Sequence, residues 1–191
     1  MIQKARAPDP AGRSSCGRPE PPPVRPLVTL LHQLSDLVKS LSDEEYTQKP
    51  VGVIQSSVGG HVRHNLDHVA ALLRGLRSGG VNYDHRDRGT DVERDRLAAL
   101  AEILRLEEEL TTFPWHAVPH LLKLTALVAP DRPPVMTVTS AERELAFVAS
   151  HTVHHNAIIG IMAKLLGADL PADFGHAPST IAHQRSRACA R

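Results

Sequence analysis

Apolar residues recur at helical spacing along four long stretches of the chain, and polar or proline-rich and glycine-rich segments separate them. In the first stretch they occupy positions 27, 30, 31, 34, 37, 38 and 41. These steps place them on one face of a helix, with polar residues on the other face. Similar patterns cover 56–80, 95–113 and 139–168. The sequence therefore predicts four amphipathic helices.

The boundaries of the second helix are marked by residues that typically begin and end helices. Ser56 or Ser57 is suited to cap its start, and Gly79 with Gly80 is suited to end it. Gly59 and Gly60 fall in its first turn. Glycines there weaken the helix but let another segment approach closely.

Residues 121–138 differ from the helical stretches, because two β-prone runs flank a turn that contains proline and aspartate. This pattern predicts a short β-hairpin. We therefore predict an all-α fold: a four-helix bundle with a short β-hairpin or extended insert between its third and fourth helices.

The length of the chain, 191 residues, suits one folded domain. Residues 1–24 are rich in Pro, Gly, Arg and Ser and lack the apolar region of a secretory signal, so we expect a disordered extension. We expect the helical domain to span 25–182 and a disordered tail to span 183–191. No apolar run approaches the roughly 20 residues of a membrane span, so the expected location is the cytoplasm.

The overall composition excludes several classes of function. The net charge of +1 gives no electrostatic basis for binding nucleic acid or an anionic membrane, so we expect neither partner. The two cysteines, Cys16 and Cys189, do not form a CxxC motif and do not indicate a disulfide framework. The chain also contains no Walker loop, dinucleotide fingerprint or Ser-His-Asp signature. We expect a small-molecule substrate instead.

Histidine is the unusual residue, with 12 in the chain and most of them in two clusters. His61, His64 and His68 share one face of the second predicted helix, and His151 and His155 share one face of the fourth. An HxxxH pair with one histidine from a facing helix can hold a metal ion and leave a position open for water or substrate. Imidazole suits Zn, Ni, Cu, Co or Fe, and the pattern does not choose among them.

A polar network without an ion is the alternative interpretation of these histidines. It would use Asp67, Arg63 and Asp84. If a metal is present, carboxylates are needed to orient the ring N–H groups, and the candidates are Asp67, Asp84 and Glu144. The stretch "YDHRDR" at 83–88 is either an exposed loop or a substrate-binding segment. In the second case Arg86 or Arg88 would bind an anionic group and Tyr83 would donate its hydroxyl.

The motifs "SVGGHVRHNLDH", "VNYDHRDRGT", "SAERELAFVASHTVHHNAII" and "DFGHAPST" together resemble the DinB/YfiT-like metalloenzyme family. The resemblance runs over most of 27–182. It implies a four-helix bundle with a divalent ion (Zn, Ni, Fe or Mn) held by three histidines. Carried over by position, the ligands are His64, seven residues after Ser57, and the HxxxH pair His151 and His155. His61 and His68 lie one turn to either side, and either can replace or join His64.

The same resemblance implies a class of activity. Members of that family include transferases and isomerases that use low-molecular-weight thiols. The expected function is therefore a metal-dependent transferase or hydrolase that activates a thiol or water. The alternative is a non-catalytic helical bundle with a structural or sensing metal site. A homodimer is compatible with either.

Overall fold

The computed structural model of the protein describes residues 21, 23–50, 52, 55–85 and 89–189. Within these residues it contains six helices and three strands. The helices are α1 (Val24–Ser40), α2 (Asp43–Thr47), α3 (Val58–Ser78), α4 (Arg96–Thr112), α5 (Ala141–Leu165) and α6 (Pro178–Cys189), and the strands are β1 (Gly80–Asn82), β2 (Leu122–Ala126) and β3 (Val135–Thr139). Short 3₁₀ turns cover Asp91–Glu93 and Trp115–Ala117.

The prediction of an all-α four-helix bundle is wrong, because the protein combines helices with a mixed sheet of order β1-β2-β3. The expected hairpin is present as β2 and β3, which pair antiparallel from Leu122 opposite Thr139 to Ala126 opposite Val135. The unexpected strand is β1, which pairs parallel to β2. Three residues are too few to show a period, so nothing in the sequence distinguished β1 from the loop around it.

The turn from α3 into β1 depends on glycine. Gly79 caps α3 with φ 78°, a left-handed conformation that glycine adopts readily, and its N–H donates to the carbonyl of Gly75. A Cβ on Gly75 would lie 2.9 Å from the Cα of Val81, so the strand runs back close to the helix. This reversal brings Gly80 beside Lys123 of β2.

Two short helices also fall outside the four that the pattern predicts. α2 begins with a reciprocal capping box, in which Ser42 and Glu45 each bind the other's backbone N–H. α6 starts at Pro178 and continues across the boundary at 182 that we expected to end the domain. Of the expected N-terminal extension, 1–20 and 22 lie outside the described residues, and Val24 already belongs to α1.

The core is mainly aliphatic, as the low aromatic content requires. α3 packs against α4 and α5, and α1 packs against α4 and α5. Trp115 is buried. None of the helices in the described part of the chain combines the length and hydropathy that a bilayer span requires. Fully buried side chains from four helices form the centre of the core: Leu27, Leu31, Leu34, Leu66, Leu72, Leu73, Ile103, Leu106, Leu145 and Val148.

Two side-chain hydrogen bonds cross this core and link α1, α3 and α5. The amide of Asn65 donates to the side-chain oxygen of Asn156 at 3.4 Å, and the amide of Asn156 donates to the carbonyl of Leu30 at 3.3 Å. Both asparagines are completely buried. Because a buried amide is costly without partners, this pair favours one register of α3 against α5.

The start of α3 is held by its cap and by a close approach at Gly59. Ser57 accepts a hydrogen bond from the N–H of Gly60 at 3.1 Å, which confirms the cap that the sequence predicts. A Cβ on Gly59 would collide with the carbonyl of Glu93 and with the ring of Tyr46. The ring is fixed in turn, because its hydroxyl donates to the carbonyl of Val92 at 2.7 Å.

We expect Gly59→Ala to destabilise the fold and Gly60→Ala to be tolerated. The methyl group of the first would meet backbone and a fixed ring, at a cost of roughly 1–3 kcal/mol. The methyl group of the second would meet the side-chain oxygen of Ser56, which can rotate away. Urea denaturation of both variants measures the difference. Equal stabilities would show that α3 does not depend on the close approach at Gly59.

A buried carboxyl group between α1 and α4 makes stability depend on pH. Burial raises the pKa of Glu107, and His32 and Lys39 oppose this rise only in part. The Nδ1 of His32 lies 3.2 Å from the Oε1 of Glu107, but without hydrogen-bond geometry.

Because the folded protein holds the proton of Glu107 more tightly than the unfolded chain, its contribution to stability is complete below about pH 4. We expect that contribution to be lost as the pH rises through the raised pKa. Glu107→Gln should reduce this loss, while the exposed neighbour Glu108→Gln should not. Melting temperatures between pH 3 and pH 8 test the difference, and parallel curves for wild type and Glu107→Gln would contradict it.

Candidate metal centre

The two histidine clusters of the sequence face each other across the contact between α3 and α5. His68 and His155 are each 7% exposed, and His61, His64 and His151 are half-buried. Each ring lies near at least one ring of the opposite helix, and the rings of His64, His68, His151 and His155 also lie near a ring of their own helix. The helical stripes that the sequence predicts therefore form one group of five imidazoles.

His64, His68 and His151 offer three nitrogen atoms that all lie within 4.8 Å of one another. The rings of His68 and His151 stack with centroids 3.9 Å apart, and that of His64 lies 4.6 Å from His68 and 5.2 Å from His151. Nitrogen ligands of a tetrahedral ion are about 3.3 Å apart, given metal–nitrogen bonds of about 2.0–2.1 Å. Small side-chain rotations would bring these three to that spacing, so the group can bind a metal ion.

The proton position on His68 follows from its partner. Its Nδ1 lies 2.9 Å from the carbonyl oxygen of His64, one helical turn earlier. Since a carbonyl can only accept, Nδ1 carries the hydrogen and donates. The lone pair of the neutral ring is therefore on Nε2, where a metal ion can bind. A hydrogen bond from the other ring nitrogen is the usual way in which proteins orient a histidine ligand.

His155 and His61 form a pair beside this group. Their Nδ1 atoms are 3.3 Å apart. Burial, and to a smaller extent the neighbouring imidazoles of His151 and His64, lower the pKa of His155 to about 3. Burial also lowers the pKa of His61. Both rings are therefore neutral at physiological pH, the state in which imidazole binds metal.

Two of the three predicted ligands, His64 and His151, belong to the compact group. His68 is its third member, while the ring of the predicted ligand His155 lies 4.5 Å from the rings of both His64 and His151. The predicted set of His64, His151 and His155 stays a prediction. His154, which directly precedes His155 on α5, is exposed.

The carboxylate that supports the site is Glu144, and it acts through a tyrosine. Glu144 is completely buried and accepts hydrogen bonds from the hydroxyls of Tyr83 at 2.7 Å and Thr139 at 2.6 Å. The ring of Tyr83 lies nearly parallel to that of His68, at 9° and 5.3 Å between centroids. Burial, and then the bond to Glu144, raise the pKa of Tyr83, so the hydroxyl stays protonated. Glu144 thus fixes the tyrosine that covers one face of His68.

Little in the sequence indicates that Glu144 and Tyr83 are arranged in this way. The sequence predicts Glu144 as a candidate for orienting a ring N–H, and the structure connects it to the histidines through Tyr83, whose ring stacks on that of His68. Tyr83 comes directly after β1, so its position depends on a strand that the hydrophobic pattern does not show.

The other predicted polar residues have partners elsewhere. Asp67 pairs with Arg63 at 3.0 Å, and Arg63 also binds Glu93 at 3.0 Å. Asp84 accepts from the backbone N–H of Leu127, just after β2, at 2.6 Å. The contact of Arg63 with Glu93 connects α3 to the 3₁₀ turn Asp91–Glu93. The contact of Asp84 connects the loop after β1 to the end of β2. The predicted substrate-binding residues Arg86 and Arg88 lie outside the described residues.

Comparison with known proteins does not identify a family. No family model matches the chain. Over 104 residues the chain is 35% identical to FK506-binding protein 5 of Rhizopus delemar. That match covers 54% of this chain but only 27% of the fungal protein, so it concerns a minor part of that protein.

We expect the bond between Tyr83 and Glu144 to contribute measurably to stability. Tyr83→Phe leaves a buried carboxylate with one donor fewer, which typically costs about 1–3 kcal/mol. In a double-mutant cycle, Glu144→Gln should lower the free energy of unfolding by less in the Tyr83→Phe variant than in the wild-type protein. Urea denaturation of the four proteins gives the coupling energy, and additive effects would show that the two side chains do not interact.

Proposed function

We propose that this protein binds a divalent metal ion between α3 and α5 and uses it as a transferase or hydrolase that activates a thiol or water. The observation that carries the proposal is the convergence of nitrogen atoms from His64, His68 and His151 within 4.8 Å. We also propose that the chain belongs with the DinB/YfiT-like metalloenzymes, on the motifs quoted above.

The chemistry of the donor set fits such an ion. All ligands available in the compact group are imidazoles, which bind metal in their neutral form and suit Zn, Ni or Fe better than Mn, an ion that prefers oxygen ligands. The tautomer of His68 already presents Nε2. The predicted ligand His155 is close enough to take the place of His68, or to join it, after a small movement.

An ion held by neutral ligands keeps its full charge and lowers the pKa of a thiol or water that reaches it. The protein would contribute orientation and partial exclusion of water. The ring of Phe147 lies 5.9 Å from that of His151 and 5.2 Å from that of Tyr83, so aromatic surface borders the histidines on one side. His154 is exposed and its ring lies 5.2 Å from that of His155, so solvent comes close to the edge of the group.

A thiol is supported as substrate by the family resemblance and by the aromatic border, which suits an uncharged sulfur compound. The FK506-binding name of the fungal relative adds no argument, because the matched segment is about a quarter of that protein.

A structural or sensing ion is the second candidate function, and burial favours it. His68 on α3 and His155 on α5 are both 7% exposed, so an ion bound there would join two helices at the centre of the fold. An ion that binds only the folded protein raises its stability by an amount that grows with the affinity and the free concentration of the ion.

We expect the purified, untagged protein to bind Co²⁺ tightly. The variants His64→Ala and His151→Ala should lose the most tightly bound ion. Competition with a chelator measures the affinity, and exposed His154→Ala is the matched control. Loss of a residue that only orients a metal ligand typically weakens metal affinity by about 10–100-fold. Loss of a ligand itself should therefore weaken it by at least about 100-fold. A greater loss in His68→Ala than in His155→Ala would assign the third ligand to His68, and the reverse would confirm His155.

The same cobalt protein separates the two candidate functions. If the ion is catalytic, a small monothiol should change the visible absorption of the bound Co²⁺, because an open position accepts it. If the ion is structural, the spectrum should stay constant and a chelator should lower the melting temperature sharply. No binding of Co²⁺, Zn²⁺, Ni²⁺ or Fe²⁺ by wild type would exclude both functions.

A further inference from the structure

We propose that the free edge of β3 binds a second copy of this chain. The two β3 strands would pair antiparallel about a two-fold axis at Thr137 and join the two three-stranded sheets into one sheet of six strands. The proposal concerns assembly of the protein and does not rest on the proposed function of the histidines.

β3 is an edge strand, and no strand in the described part of the chain pairs with its outer side. The sheet order β1-β2-β3 places β2 on its inner side only. Every second residue of β3 therefore directs its backbone N–H and C=O away from the sheet. Proteins usually protect such an edge with charged residues, proline or a bulge. The sequence of β3, VMTVT, has no charge and no proline, and its register with β2 runs without a bulge.

The outer face of this edge is apolar and exposed. Thr139 points inward, because its hydroxyl binds Glu144 and its partner on β2, Leu122, is buried. Since side chains alternate along a strand, Met136 and Val138 point outward. They are 78% and 63% exposed. An unprotected edge with large apolar side chains is the kind of surface to which another strand adds.

The sequence of β3 is complementary to itself, which favours a second copy over an unrelated strand. An antiparallel pair centred on Thr137 places Met136 opposite Val138 of the second copy, and the two-fold axis repeats this contact. It also places Val135 opposite Thr139. Cross-strand pairs of apolar and β-branched side chains stabilise a sheet. Only this register pairs all five residues of β3.

Charges beyond the two ends of β3 favour the same arrangement. The turn before the strand carries Asp131 and Arg132, and the first turn of α5 carries Glu142 and Arg143. Continued outward, the pairing brings Arg132 near Glu142 of the second copy. It likewise brings Asp131 near Arg143. Each charge thus approaches one of opposite sign, whereas parallel pairing in register would bring like charges together.

Charge exchange at Thr137 tests the proposal, because a residue on the two-fold axis meets its own copy. We expect the full-length wild type to form dimers with rising concentration in sedimentation velocity. Thr137→Lys and Thr137→Asp should each weaken the dimer by about threefold or more, since like charges directly opposite destabilise a strand pair. An equimolar mixture of the two variants should contain more dimer than either alone. Leu104→Lys, at an exposed apolar position on α4, should leave the dimer unchanged.

A disulfide at the same position tests the register. With Cys16 and Cys189 replaced by serine, Thr137→Cys should give a disulfide-linked dimer under mild oxidation. Opposite residues of an antiparallel pair have Cα atoms about 4.5–5.5 Å apart, which a disulfide can span. Val135→Cys should not crosslink, because its own copy would lie four residues away along the strand, roughly 13 Å.

Each other outcome overturns the proposal in a recognisable way. A wild type that stays monomeric at every concentration means that β3 does not bind a second copy. A dimer that both Thr137 variants keep, or that Leu104→Lys disrupts, has its interface elsewhere. If both variants weaken the dimer and their mixture does not restore it, Thr137 does not lie on the axis. Equal crosslinking of Val135→Cys and Thr137→Cys contradicts the register. Circular dichroism melting shows whether a lost dimer reflects a lost fold.

Discussion

The packing of α3 against α5 is the constraint on which the candidate site depends. Both helices place histidines on the face that meets the other helix, and neither helix alone brings more than part of the group together. The buried hydrogen bonds from Asn65 to Asn156 and from Asn156 to the carbonyl of Leu30 favour one register at this contact. A shift of one turn would separate the rings of His68 and His151, which now lie 3.9 Å apart.

Burying five imidazoles at this contact has an energetic consequence. A charged ring is costly in a poorly solvated position, and neighbouring rings add repulsion, so the neutral form is favoured. Neutral rings have lone pairs directed into a confined space. The hydrogen bond from His68 to the carbonyl of His64 shows how one lone pair is fixed, and Tyr83 with Glu144 fixes one face of the same ring. The burial that lowers the pKa of His61 and His155 thus also keeps these two rings in the neutral form that binds a cation.

The sheet contributes to the site in a way that the helices do not. β1 has only three residues, and its pairing with β2 determines where the chain runs immediately before Tyr83. The hydroxyl of Thr139, the last residue of β3, binds the other oxygen of Glu144. The sheet and the first turn of α5 therefore hold the tyrosine against His68 together. The sheet, together with the helices, is therefore needed to position Tyr83 at the candidate site.

The sequence by itself determined the four long helices, the cap at Ser57, the β2–β3 hairpin and the two histidine stripes, because each rests on spacing or on contacts between near neighbours in the chain. It selected His64 and His151, which the structure brings together with His68. Only the tertiary structure decided that a third strand exists, that Glu144 acts through Tyr83, and that His61 pairs with His155. Those features depend on contacts between residues 43 to 94 positions apart, and local periodicity carries no information about such contacts.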